Sequence, residues 1–381
     1  MISSADPQQL RAYAMRVLPD LKLAKDRLAA DGDAALERIF PPHDAGLAPR
    51  AIVIAPGVPD PIADAPSADA AVADQRRRLL EAGVAAVDAM ERDGEQVPLP
   101  LELESGLEAI VMLVARPAIL MQDGRFGDVA PPWGDWLTPY RDGIRDASAR
   151  VGRVEVVGIP NVTYGGTGFL VAPDAVMTNC HVATSFAMTA GTRTWSLTLP
   201  SSVAFLDDPD DDRPADGLPG RRVREVIGIH ERLDLALLRV DPDPSLVPLT
   251  LMSQPLGDLD GRRVYLLGYP ASDWRNDQAA QRGIFGDRYR VKRLQPGAVM
   301  PAPAAIPAEQ SPCSRGMTRD DMVFHDASTL GGNSGSAVID LESNQVLGLH
   351  FGGRYLQYNK AVALWRLTDD PLLARAGVAF D

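Results

Sequence analysis

Two cysteines in 381 residues are too few for a fold stapled by several disulfides, so the chain has to be held by its apolar core. Cys180 and Cys313 lie far apart in sequence. A bridge between them stays open, but Cys180, next to a histidine, reads as a buried free thiol. Basic charge is also scarce. Against 51 Asp and Glu there are 38 Lys and Arg, and the net charge of −13 argues against nucleic acid or an anionic membrane as partner. No run reaches the ~18 apolar residues of a membrane span. The opening stretch from Met1 to Leu10 lacks the basic start and apolar centre of a secretion signal. A cytoplasmic location is the expectation.

What is present is an ordinary globular mixture, 45% hydrophobic and 23% charged, long enough for two domains. The first 150 residues have a helical texture. Leu10, Tyr13, Ala14, Val17, Leu18 and Leu21 recur at helical spacing until Pro41-Pro42, and a second helical stretch runs from about Ser67 to Arg92. Between them a Pro/Ala/Asp-rich segment holds one candidate strand, residues 51–55. The apolar stretch Leu107 to Ala115 stops before Pro117, an Asp123-Gly124 turn follows, and Trp133, Trp136 and Tyr140 precede a helix from Arg141 to Ala149. The aromatics read as packing residues. Nothing catalytic stands before residue 150, and a regulatory or recruiting role is assigned to residues 1–150 by default.

From Arg153 onward short β-branched strands alternate with turns, the pattern of an all-β barrel or sandwich. The acidic run Asp207 to Asp212 lacks the glycine and distal glutamate of a calcium loop and reads as a solvated surface loop. A Pro/Ala-rich loop is expected from Gln295 to Arg315, with Cys313 on an exposed excursion.

The chemistry is carried by three segments. Gly331-Gly332-Asn333-Ser334-Gly335-Ser336 can present a serine hydroxyl on a tight bend, with the N–H groups of Gly332 and Ser334 converging on a developing oxyanion. Read alone, such a string is equally a Gly/Ser-rich turn. Thr178-Asn179-Cys180-His181-Val182 offers a base, and Arg232-Leu233-Asp234-Leu235-Ala236-Leu237-Leu238 embeds an acid in an apolar run, where it has to find a partner. His43, His230 and His325 are poorer candidates for the base.

These segments, in the order His, Asp, Ser and spaced 53 and 100 residues apart, resemble the trypsin-like serine proteases, in particular the bacterial branch of glutamyl endopeptidases and high-temperature-requirement proteases. The resemblance covers about residue 151 to the C-terminus. It implies a mainly β, chymotrypsin-like double β-barrel, residues 151–381 with barrels at about 151–245 and 258–381, behind a mostly helical N-terminal domain, residues 1–150. It implies a serine endopeptidase with His181, Asp234 and Ser334 as catalytic triad and the backbone of Gly332 and Ser334 as oxyanion hole. Ser328, Thr329, His350 and Gly352 fall on the substrate-binding positions. Thr329 and His350 match the two residues that bind the substrate carboxylate in glutamyl endopeptidases, so cleavage after Glu or Asp is expected. Asn333, uncharged, cannot form the ion pair with a new N-terminus by which the digestive enzymes are activated.

A catalytically silent barrel acting as a binding or regulatory module is the alternative, and an esterase on the same triad is a third reading. Neither a cofactor nor a metal is called for. The expected partners are a protein or peptide substrate and a regulatory protein reached through residues 1–150.

Overall fold

The computed structural model describes residues 7–31, 68–111, 115–129, 132–158, 164–191, 194–199, 203–206, 220–272, 285, 288–306, 311–354 and 357–381. The candidate strand at 51–55 and the acidic run at 207–212 lie outside them. Contacts divide the chain into a helical unit, Leu10–Ala115 with Asp128–Pro132, and a β unit made of Met1–Gln9, Arg116–Gly127 and Trp133–Asp381.

In the helical unit Leu10, Tyr13, Ala14, Val17 and Leu21 are all buried, one stripe at helical spacing across the helices Pro7–Arg16 and Leu18–Asp31. The helices Ala68–Asp93 and Leu101–Ile110 meet backbone to backbone. A Cβ on Gly83 would lie 2.5 Å from the Gly106 carbonyl oxygen, and one on Gly106 would lie 2.4 Å from the Gly83 nitrogen. Two glycines are what allow that crossing. Among the described residues, no helix is long and apolar enough to cross a membrane.

The β unit holds two closed six-stranded barrels. After β1 (Ile119–Gln122) and β2 (Arg125–Phe126), the first is formed by β3 (Val151–Val156), β4 (Tyr164–Ala172), β5 (Ala175–Thr178), β8 (Val203–Leu206), β9 (Arg221–Ile229) and β10 (Ala236–Val240), closed in the order β10-β5-β4-β3-β8-β9, while β6 (Ala187–Gly191) and β7 (Thr194–Leu197) pair as a separate ribbon. Its core gathers Leu170, Val176, Phe186, Phe205 and Leu238. The second runs β11 (Arg263–Gly268), β14 (Ala337–Asp340), β15 (Val346–Arg354), β16 (Tyr358–Ala363), β13 (Met322–His325) and β12 (Arg293–Met300), and pairing of β11 with β12 closes it. Val264, Leu266, Val299, Val338 and Leu347 fill it. At about 1.5–3 kcal/mol for each fully buried Val, Leu or Phe, these two interiors dominate the stability. This is the mainly β, chymotrypsin-like architecture, with a helical N-terminal region.

Three sequence expectations change. A division at residue 150 is not where the contacts divide, because residues 116–127 and 133–150 belong to the β unit. β1 (Ile119–Gln122) pairs with β12, and β1 turns at Asp123-Gly124, both at positive φ, into β2 (Arg125–Phe126). Buried Arg116 forms a two-pronged ion pair with buried Asp326, 2.7 Å at each contact, and buried Lys292 donates to the Ser148 carbonyl at 2.8 Å. Trp133 is buried, packed edge-on against Trp136. The second change concerns the loop expected from Gln295. Residues 295–300 are strand: Pro296 sits opposite Tyr265, and Gly297 lets the chain pass Ala327, whose nitrogen would stand 2.7 Å from an added Cβ.

Cys313 is not on a free excursion and Cys180 is not a thiol: the two form a disulfide closing 133 residues of chain. The free-thiol reading failed because sequence distance says nothing of spatial distance. The bridge links the first barrel to the segment between β12 and β13.

Candidate active site

β5 ends at Thr178, and Asn179, in extended conformation, opens a single helical turn, Cys180–Ala183. That turn is fastened to Asp234, which lies just ahead of β10 and is buried. The Asn179 amide donates to the Asp234 carbonyl oxygen at 2.8 Å, the His181 backbone N–H donates to Oδ1 at 3.0 Å, and His181 Nδ1 lies 2.7 Å from Oδ2. The carboxylate therefore grips both backbone and ring of His181. The ring is 37% exposed, and among the described residues its Nε2 makes no hydrogen bond. An Asp234 oxygen and the sulfurs of Cys180 and Cys313 lie within 4.8 Å of one another, so the disulfide backs directly onto this pair.

The bend carrying Ser334 has Gly332 at φ +90° and Gly335 at φ +91°. Glycine is required twice over at each. A Cβ on Gly332 would stand 1.9 Å from the Tyr164 hydroxyl, and one on Gly335 would stand 1.9 Å from the Thr167 carbonyl oxygen. The N–H of Asn333 donates to Leu330 O at 3.2 Å and that of Gly335 to His350 O at 2.9 Å, whereas the N–H groups of Gly332 and Ser334 have no partner among the described residues. Those are two donors a chemical charge could use. The Ser334 hydroxyl likewise makes no hydrogen bond among them. Asn333 is fully buried, and neither of its amide atoms is hydrogen-bonded among the described residues.

Of the expected substrate-binding residues, Ser328 is buried and its hydroxyl donates to the Arg116 carbonyl oxygen at 2.6 Å. Thr329 donates to Asn359 Oδ1 at 2.7 Å, while the Asn359 amide donates to Ala327 O. His350 is buried, with Nδ1 3.2 Å from Nε2 of His325. Desolvation by burial pushes its pKa well below the usual histidine value, and the neighbouring His325, His181 and Lys360 act in the same direction. His325, buried beside it, is lowered to about 4, mainly by desolvation, so both rings are neutral at pH 7. Gly352 faces open space, with nothing within 4 Å of where a Cβ would point. Sequence reasoning did not find His325, Asn359 or Arg116 as supports of this region.

The two closed six-stranded barrels define the class as chymotrypsin-like in fold. Residues 166–349 match the family model of the trypsin-like peptidase domain, so this part of the chain is a trypsin-like peptidase domain. A probable serine protease of Lysobacter enzymogenes is 27% identical over 293 residues, covering 67% of this chain and 72% of that protein. The active form of the Rv3671c protease of M. tuberculosis is 22% identical and aligns over 62% of this chain and 85% of that one, with a TM-score of 0.38. The HtrA-type protease AlgW, solved with a decapeptide, is 18% identical over 62% of this chain and 67% of that one, with a TM-score of 0.40.

Proposed function

We propose that Ser334 is the nucleophile, His181 the general base and Asp234 its orienting acid, in hydrolysis of peptide bonds through an acyl-enzyme. The carrying observation is the double grip of Asp234 on His181, 3.0 Å to the backbone N–H and 2.7 Å to Nδ1. A carboxylate at Nδ1 holds the ring proton there and leaves the Nε2 lone pair to accept the Ser334 proton. Oγ then bonds to the scissile carbonyl carbon, and the C=O electron pair moves to oxygen, which the N–H groups of Gly332 and Ser334 receive. Collapse breaks the C–N bond, with the proton on Nε2 passing to the leaving amine. Water repeats the sequence on the ester and frees Ser334.

The same reading extends to cleavage after Glu or Asp. Its support is His350: where His325 Nε2–H donates to His350 Nδ1, His350 carries its own proton on Nε2, the donor a substrate carboxylate needs. Ser328 has its hydroxyl committed to Arg116, and Thr329 would exchange Asn359 for the substrate. Gly352 offers the open backbone along which the peptide lies. Peptides differing only in Glu, Gln, Leu or Arg on the acyl side of the scissile bond test this. Faster cleavage after Glu, lost in His350→Ala, is expected, and equal or faster cleavage after Arg or Leu would refute it.

The disulfide favours an oxidising compartment over the cytoplasm expected from sequence, since such bridges seldom persist among cytosolic thiols. For the helical unit a regulatory protein partner is the proposed role.

A further inference from the structure

The bend around Ser334 is held by its carbonyl groups, and one residue of the first barrel holds two of them. Gly331 O accepts from the Ala271 N–H at 2.6 Å, and Asn333 O accepts from the Ser336 N–H at 2.9 Å. The other two carbonyls of the bend go to Thr167. Its hydroxyl donates to Gly332 O at 2.8 Å, and its N–H donates to Ser334 O at 2.8 Å. That hydroxyl also accepts from the Tyr269 N–H at 3.1 Å, so both of its hydrogen-bonding directions are set. From behind, Thr178 Oγ1 donates to Thr167 O at 2.7 Å. Thr167 is fully buried on β4, between Gly166 and Gly168.

In a trans peptide the C=O and the next N–H point in opposite directions. Fixing Gly331 O on Ala271 therefore aims the Gly332 N–H away from Ala271, and fixing Asn333 O on Ser336 aims the Ser334 N–H. The plane between these two peptides is that of Gly332 O and the Asn333 N–H. Its Asn333 N–H is bonded to Leu330 O at 3.2 Å, and at its other end the glycine at positive φ leaves the Gly332 carbonyl free to turn unless a second contact holds it. Were it to turn, the aim of the Gly332 and Ser334 N–H groups relative to each other would change. The Thr167 hydroxyl is the side-chain contact that fixes this middle plane.

We propose that Thr167 is a positioning residue of the oxyanion hole, its hydroxyl locking the Gly332–Asn333 peptide so that the N–H groups of Gly332 and Ser334 stay aimed at one point. This rests on the reading of Ser334 as nucleophile. Thr167 touches neither substrate nor reacting atoms, and it acts before the reaction by removing a conformational choice. Its effect therefore falls on the transition state, where charge appears on the oxygen, and not on ground-state binding.

The test compares full-length wild type, Thr167→Val and Thr167→Ser in peptide hydrolysis, fluorophosphonate labelling of Ser334, and binding of a peptide boronate against the corresponding product peptide. Thr167→Val is expected to lower kcat by about 10- to 100-fold, short of the loss of a whole oxyanion donor, with KM within about twofold. Boronate affinity should fall in parallel while product affinity and the pH profile of kcat hold, because the His181–Asp234 pair is untouched. Thr167→Ser, which keeps the hydroxyl, should recover most of the rate. Wild-type kcat in Thr167→Val, or a Thr167→Ser no better than it, would overturn the role of Thr167 alone. A wild type that neither labels nor hydrolyses would overturn the nucleophile reading and the role together. Should Thr167→Val not fold, Thr167→Ala removes the same hydroxyl and is judged by the same criteria.

Discussion

Cys180 and Cys313 are bonded to each other, which ties the helical turn bearing His181 to the segment ahead of β13 in the second barrel. His181, the proposed base, is thus fastened twice, by Asp234 on one side and by a covalent link on the other. The two fastenings lie within 4.8 Å.

Reduction of the bridge, or Cys313→Ala with Cys180→Ala, is expected to cost about 2–4 kcal/mol of stability, since it restores the freedom of a 133-residue loop in the unfolded chain. Urea unfolding with and without a reductant measures this. Coincident transitions would show that the bridge contributes nothing.

Arg116→Ala is expected to destabilise the β unit by about 3–5 kcal/mol, because Asp326 would be left charged and buried without its cation. The Ala298 N–H also donates to Asp326 at 2.7 Å, so the strain would reach β12. A change below about 0.5 kcal/mol in urea unfolding, the range of an ordinary surface substitution, would mean that the pair is not buried as described.

How much of this could be read beforehand depends on the kind of interaction. Leu10 to Leu21, the strands from Arg153 onward and the segments around His181, Asp234 and Ser334 announce themselves through local period or local chemistry. Thr167 does not, because its contacts to Tyr269 and Gly332 span 102 and 165 residues and leave no periodic trace. Its setting in Gly165-Gly166-Thr167-Gly168 was the one available signal: a hydroxyl amid glycines at the start of an apolar strand. Arg116 and Asp326 are 210 residues apart and were invisible for the same reason. Residues 295–315 read as loop in the sequence because they are rich in proline and alanine, yet residues 295–300 are strand, with Pro296 and Gly297 among them. In this barrel the proline takes a register position opposite Tyr265, and the glycine answers a close approach by Ala327.

Acid should weaken the second barrel through its buried histidines. His325 has its pKa lowered from 6.5 to about 4, so between those values the unfolded chain takes up a proton that the folded one refuses. Stability therefore falls as pH drops from about 6.5 towards 4, by on the order of 3 kcal/mol for this group, and His350 adds in the same direction. Urea unfolding at pH 7.5 and 4.5, in wild type and His325→Phe, checks the sign. A wild type as stable at pH 4.5 as at 7.5 would contradict the neutral pair, and His325→Phe should show the smaller loss.

The assignment of Ser334 as nucleophile is tested most directly by reacting the folded, full-length chain with a fluorophosphonate and locating the adduct by peptide mass mapping. The account predicts one adduct, on Ser334, formed far more slowly in His181→Ala and absent in Ser334→Ala together with peptide hydrolysis, a loss of roughly 10⁴-fold or more. An adduct on another residue, or hydrolysis that survives in Ser334→Ala, would contradict it.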